Sequence, residues 1–135
     1  NDVWHWTHPR VVARGKKGTT PEDFESGLRD MIKKINGVGA RVILCTPTVI
    51  GEKPNGTNPD DKRLDQYSDI SRKVATETSS QLLDLRKGFI TYLKEHNPKN
   101  ASEGILTNDS VHMNATGNQL LAKLVLEALQ LPAQR

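Results

Sequence analysis

The segment Arg41-Val-Ile-Leu-Cys-Thr46 constrains this chain most: it is a continuous apolar run of strand length, stopped by Pro47. Such a run needs cover on both faces, as a strand inside a parallel sheet has. A helix precedes it. Thr20 stands at an N-cap position and Pro21 at the first helical position. Glu22 and Asp23 follow in the first turn, where acids complement the helix dipole. Phe24, Leu28, Met31, Ile32 and Ile35 share one helical face. Asn36-Gly37 ends the helix, with Gly37 free to take positive φ. Helix, short loop and buried strand in that order are the rhythm of an α/β fold.

The rest of the chain keeps that rhythm. Residues 1–18 read as a polar and aromatic loop. Ile50 to Asp61 holds Gly51, Pro54, Asn55-Gly56 and Pro59, so it is a loop. It lies beyond the C-terminal end of a strand, where α/β folds bind ligands. Asp61 to Ser79 reads as a helix with Leu64, Tyr67, Ile70, Val74 and Ala75 inward. Gln81-Leu-Leu-Asp84-Leu85 is a second, short strand. Lys87 to His96 is a helix carrying Phe89, Ile90, Tyr92 and Leu93, ended by Asn97-Pro98. The last helix is expected to be capped by Thr116, to carry Leu120, Leu121, Leu124, Val125 and Ala128 on its apolar face, and to close at Leu131-Pro132. Two buried strands are visible, and a two-stranded pairing is marginal alone.

Composition narrows the function classes. An apolar content of 35% with two Phe, two Tyr and two Trp in 135 residues is lean for an independent core. The net charge of +3 is spread among mixed signs, with no basic run interleaved with aromatics, so nucleic acid is not an expected partner. No stretch approaches the length of a membrane span. The single cysteine, Cys45, permits no intrachain disulfide, and its apolar setting reads as a buried, inert thiol. His5 and His8 have no acidic or thiol ligands at convincing spacing, so no metal is expected.

The chemistry lies in Leu106-Thr-Asn-Asp109-Ser-Val-His112-Met-Asn-Ala-Thr-Gly117, a loop leading into the last helix. An acid three residues before an imidazole can accept its Nδ1–H, fix the tautomer and leave Nε2 free for a proton. The plainer readings are an Asx-turn for Asp109 and a surface histidine for His112. Ser110, between the two, is too tightly bound by the local chain to present its Oγ to Nε2.

Asp109-Ser-Val-His112, with Gly117 after it, resembles the last block of the SGNH (GDSL-type) hydrolases. Asn1-Asp2 resembles the tail of that family's Gly-x-Asn-Asp block. Gly39-Ala-Arg-Val-Ile-Leu-Cys-Thr-Pro-Thr48 resembles the strand and loop that follow it. The likeness covers essentially the whole chain. It implies a three-layer α/β/α sandwich with a parallel, flavodoxin-like sheet, of which residues 1–135 form the C-terminal part of a single domain. It also implies a serine esterase acting on small acyl esters, acetyl groups on carbohydrate or short-chain alcohols, with lipid esters and thioesters as alternatives.

In that scheme His112 is the general base, Asp109 orients it, and the Asn1 side chain donates to the oxyanion. Asp2 supports the loop. Trp4, His5, Trp6 and His8 either wall the substrate pocket or pack an irregular loop, and Thr46 and Met113 line the cleft. No cofactor is implied. The family's nucleophilic serine and an oxyanion glycine lie in earlier blocks, so they are expected from a segment upstream of Asn1, without which this chain would be inactive. The runner-up is a non-catalytic binding domain or inactive fragment on the same scaffold. The compartment stays open, with secretion or the periplasm as candidates.

Overall fold

The computed structural model describes residues 2–130. A 3-10 turn at Trp4–Trp6 and a short helix α1 (Pro9–Val12) open the chain. There follow α2 (Pro21–Gly37), β1 (Ile43–Cys45), α3 (Asp61–Glu77), β2 (Gln81–Leu83), α4 (Leu85–His96) and α5 (Ala115–Gln130). The two strands pair in parallel, Ile43 opposite Gln81, Leu44 opposite Leu82 and Cys45 opposite Leu83. Parallel neighbours need a crossover, and α3 supplies it.

The helix boundaries follow their caps. Thr20 Oγ1 accepts the Asp23 N–H at 3.1 Å, as expected. The left-handed residue after α2 is Gly39 (φ 76°) rather than Gly37, which stays helical. α4 starts two residues earlier than expected, because Asp84 Oδ1 accepts the Lys87 N–H at 3.0 Å. α5 is capped by Asn114, not Thr116: its Oδ1 takes the Gly117 N–H at 3.0 Å. Asn ranks with the best N-caps, and capping from Asn114 places Thr116 inside the first turn. The N-terminal stretch is not all loop, since Pro9 presets the first turn of α1. The expected close at Leu131-Pro132 lies outside the described residues.

Packing is layered. α2 and α3 cover one face of the sheet through Ile32, Leu44, Val74 and Ala75. On the other face the Gln81 side chain donates to the Ala128 carbonyl of α5 at 2.8 Å. A second cluster joins α4 and α5 to the loops: Val49, Phe89, Leu93 and Leu106, with Leu120, Leu121 and Leu124 against them. A third holds Val3, Leu64 and Tyr67 with Phe24 and Ile50.

One packing expectation fails, and the apolar face of α2 is only partly covered. On α2 only Ile32 is buried, while Met31 and Ile35 stay exposed, because α3 meets just one side of the apolar stripe. Cys45 is exposed, not buried. Side chains alternate along a strand, so Leu44 turns into the α2/α3 layer and Cys45 turns away from it. Partial desolvation pushes the thiol pKa up, so Cys45 stays a neutral thiol.

Candidate active site

Two loops beyond the C-terminal ends of the strands build the site. The first leaves β1 at Thr46, a buried residue that ties the strands together. Its hydroxyl donates to Asp84 Oδ1 at 3.2 Å and accepts the Arg86 N–H at 2.9 Å. Arg86 in turn forms a buried pair with Asp61 at 2.8 Å and a second pair with Asp65 at 2.9 Å. The Asp61 carboxylate also receives Asn58 N and Nδ2, each at 3.0 Å. Asn58 closes the 53–58 turn and packs against Gly51, which sits at φ 85° with no room for a Cβ. Gly51 then donates its N–H to the Ser110 carbonyl at 2.7 Å, joining the first loop to the second.

The second loop is a tight excursion closed by an antiparallel bridge between Thr107 and Met113. Asn108 N donates to His112 O at 2.8 Å and Asn114 N to Leu106 O at 2.9 Å. Ser110 sits at the tip with φ 67°. Asp109 Oδ2 meets His112 Nδ1 at 2.8 Å, while its Oδ1 accepts the N–H of His112 at 2.7 Å and of Val111 at 3.2 Å. The backbone donor of His112, then its imidazole, hold the Asp109 carboxyl down at about 2, from an ordinary 3.8. Asp109 is therefore an ionised acceptor at any ordinary pH. With Nδ1 engaged, His112 keeps Nε2 for other work: no described residue hydrogen-bonds to it. Both side chains are largely exposed, at 69% for His112 and 56% for Asp109.

His112 opens on a cleft of about 430 Å³ whose walls include Trp4, Thr46, Val49, Ile50 and Tyr67. Trp4 stands edge-on to His112 with ring centres 6.1 Å apart. Trp4 also packs at a tilt against His8, with ring centres 4.1 Å apart. The cleft thus brings together Trp4, Thr46 and His112. His5 lies 5.8 Å from Trp4 and off the cleft wall. Met113 turns away into the α4/α5 cluster. Asp2 accepts the Thr19 hydroxyl at 2.5 Å, a loop-supporting contact. Asn1 lies outside the described residues. Among the described residues no group of three His, Cys, Asp or Glu side chains is placed to hold a metal ion.

Sequence reading passed over Glu52. Its side chain is fully buried and accepts hydrogen bonds from Ile105, Leu106 and Thr107. Nothing local marks it, for a lone Glu in a loop of Gly, Pro and Asn reads as solvated.

Residues 1–120 match the GDSL-like Lipase/Acylhydrolase family. An acetylxylan esterase of Geobacillus stearothermophilus is 27% identical over 129 residues, which are 96% of this chain and 55% of that protein. Among solved structures, the acetyl xylan esterase AlAXEase superposes with a TM-score of 0.87 at 39% identity, over 95% of this chain and 62% of that one. LAE5, an alpha/beta hydrolase enzyme from the metagenome of Lake Arreo, Spain, gives 0.77 at 28% identity, over 94% and 54%. The chain therefore spans little more than half the length of these relatives. The fold is that of the SGNH-type α/β hydrolases, of which the described residues hold two parallel strands and their covering helices.

Proposed function

The chain belongs to the GDSL-like lipase/acylhydrolase family, and from that premise we propose that it carries the acid–base half of a serine esterase acting on acetyl esters of carbohydrates. The observation that carries this reading is the 2.8 Å contact of His112 Nδ1 with an ionised Asp109, beside a cleft walled by Trp4. Acetylxylan esterase relatives support the acetyl–carbohydrate assignment.

The nucleophilic serine comes from a segment preceding Asn1 in the full-length protein. His112 Nε2 takes the proton from the serine Oγ as that oxygen attacks the ester carbonyl carbon. The developing oxyanion accepts a hydrogen bond from the Asn1 side chain. His112 then returns the proton to the leaving sugar oxygen, and the C–O bond breaks. Water repeats the sequence on the acyl-enzyme and frees acetate. Asp109 stays ionised throughout and stabilises the imidazolium. Trp4 offers an apolar ring face to the sugar next to the reacting ester.

The test is hydrolysis of 4-nitrophenyl acetate and of acetylated xylo-oligosaccharide by the full-length protein and its His112→Ala variant. A loss in kcat on the order of 10³-fold or more is expected. Equal turnover by both proteins would sink the triad reading. Turnover of the nitrophenyl ester alone would sink the carbohydrate assignment.

A further inference from the structure

Glu52 has no place in the chemistry above, yet its environment is the most demanding for a charge among the described residues. Its side chain is fully buried. Oε1 accepts from Leu106 N at 2.7 Å, Thr107 N at 2.5 Å and Thr107 Oγ1 at 2.7 Å, and Oε2 accepts from Ile105 N at 2.7 Å. Three of these partners are backbone N–H groups, which can only donate, and the fourth is the Thr107 hydroxyl, so both carboxylate oxygens serve as acceptors. No Lys, Arg or His among the described residues pairs with it, so hydrogen bonds alone offset the desolvation of its charge.

What the carboxylate holds is specific. Residues 105–107 form the leg of the loop that ends at Asp109. The main chain beside Glu52 grips the same loop elsewhere: Glu52 N donates to Ser102 O at 3.0 Å, and Gly51 N to Ser110 O at 2.7 Å. Asn97 Nδ2 anchors the Glu52 carbonyl at 2.8 Å. Residues 51 and 52 therefore clamp the chain on both sides of Asp109. An apolar side chain would fill the same space at lower cost, but it could not fix three successive N–H groups of an irregular segment.

Building on the esterase reading, we infer that Glu52 is a positioning residue that sets the Asp109–His112 geometry through the 105–107 leg. It touches neither substrate nor imidazole, and it acts by fixing where the Asp109 carboxylate stands.

The readout is the tautomer of neutral His112, taken from imidazole ¹⁵N shifts of the full-length protein near neutral pH. The wild-type pair should hold the Nδ1–H form, which a free imidazole disfavours. Glu52→Gln places an amide N–H₂ among backbone N–H groups and should return His112 toward the Nε2–H form. In the full-length esterase it should lower kcat about 100-fold with KM little changed, as a displacement near 1 Å would. Ile32→Ala, a core truncation in the α2/α3 cluster, destabilises the fold without touching the loop and should leave the tautomer as in wild type. A folded Glu52→Gln protein with the wild-type tautomer overturns the assignment. If Glu52→Gln does not fold, Thr107→Val decides, since it deletes one donor of the four: a weakened Nδ1–H form supports positioning and an unchanged one refutes it. Absence of turnover in the full-length wild type would count against the esterase reading alone, because the tautomer is read without substrate.

Discussion

Gly117 offers the sharpest test of how the Asp109–His112 loop is seated. A Cβ there would lie 2.1 Å from the Leu106 carbonyl oxygen, 3.1 Å from its carbon and 3.3 Å from Met113 Cβ. Real Cβ contacts stay above 3.0 Å, so an alanine forces a retreat of about 0.9 Å, an overpacking that costs roughly 1–3 kcal/mol. Leu106 cannot yield easily: Glu52 holds its N–H, Asn114 N holds its carbonyl, and its side chain is fully buried. The displacement therefore passes to the loop or to the start of α5, and a shift near 1 Å costs about 100-fold in catalytic rate. Gly117 is not left-handed, so alanine meets no backbone penalty and helix propensity alone would favour it by up to about 1 kcal/mol.

Two other helical glycines calibrate the result. Gly27 has open space where a Cβ would sit, so Gly27→Ala should stabilise by up to about 1 kcal/mol. At Gly88 the Cβ would meet Leu124 Cδ1 at 2.7 Å. Leu124 can move off its rotamer at about 0.5–1.5 kcal/mol, which roughly cancels the propensity gain. Urea denaturation of the three alanine variants, compared by midpoint at constant slope, should rank Gly27 above Gly88 above Gly117. Ester hydrolysis by the full-length protein should fall only for Gly117→Ala. If Gly117→Ala proves as stable and as active as Gly27→Ala, the seating of α5 under Leu106 is not as described.

Asp109→Asn keeps an acceptor for the backbone N–H groups but removes the charge facing the imidazole, and should lower kcat by up to about 10⁴-fold. The folded carboxyl sits at about 2, below its ordinary 3.8. Its stabilising contribution is thus complete above about pH 4 and is lost as pH falls through about 2. The acid limb of kcat/KM above about pH 4 should therefore be unaffected by Asp109 titration, and an acid melting series should lose part of its slope between about pH 4 and pH 2 in Asp109→Ala. Arg86→Met leaves the buried Asp61 carboxylate without its cation and should destabilise by about 3–5 kcal/mol in urea titration. A loss under about 1 kcal/mol would mean that Asn58 alone satisfies Asp61.

The parts of this protein that were legible in sequence are those specified by neighbours in the chain. Thr20-Pro21 marks the start of α2, and Asp109 and His112 meet because a loop brings positions three apart together. What escaped depends on distant residues. The donors to Glu52 lie 53 to 55 positions away, and no local pattern announces them. Cys45 escapes sequence reasoning because an apolar run says that a strand is covered but not how far each face is. Adjacency to His112 in the chain suggests the cleft for Met113. In an extended bridge, however, consecutive side chains point to opposite faces, and Met113 goes to the core while His112 goes to the cleft. Thr116 loses the cap to Asn114, a stronger capping residue two positions earlier.

The site joins an open pair to a closed support. His112 and Asp109 are 69% and 56% exposed, yet Glu52 and Leu106 beneath them are at 0% and Thr107 at 1%. An exposed ion pair in solvent contributes little and fixes little by itself, so the orientation of the imidazole cannot come from the Asp–His contact alone. Two of the three hydrogen bonds to Asp109 come from main-chain N–H groups of its own loop, and that loop takes its shape from the buried carboxylate and from the glycines at positions 51 and 117. The Asp109–His112 geometry is thereby delegated to buried residues away from the cleft. It follows that substitutions of equal cost in stability should differ in their cost to catalysis: those in the 51–52 and 105–107 segments should lower kcat, while those between α2 and α3 should lower only the melting temperature.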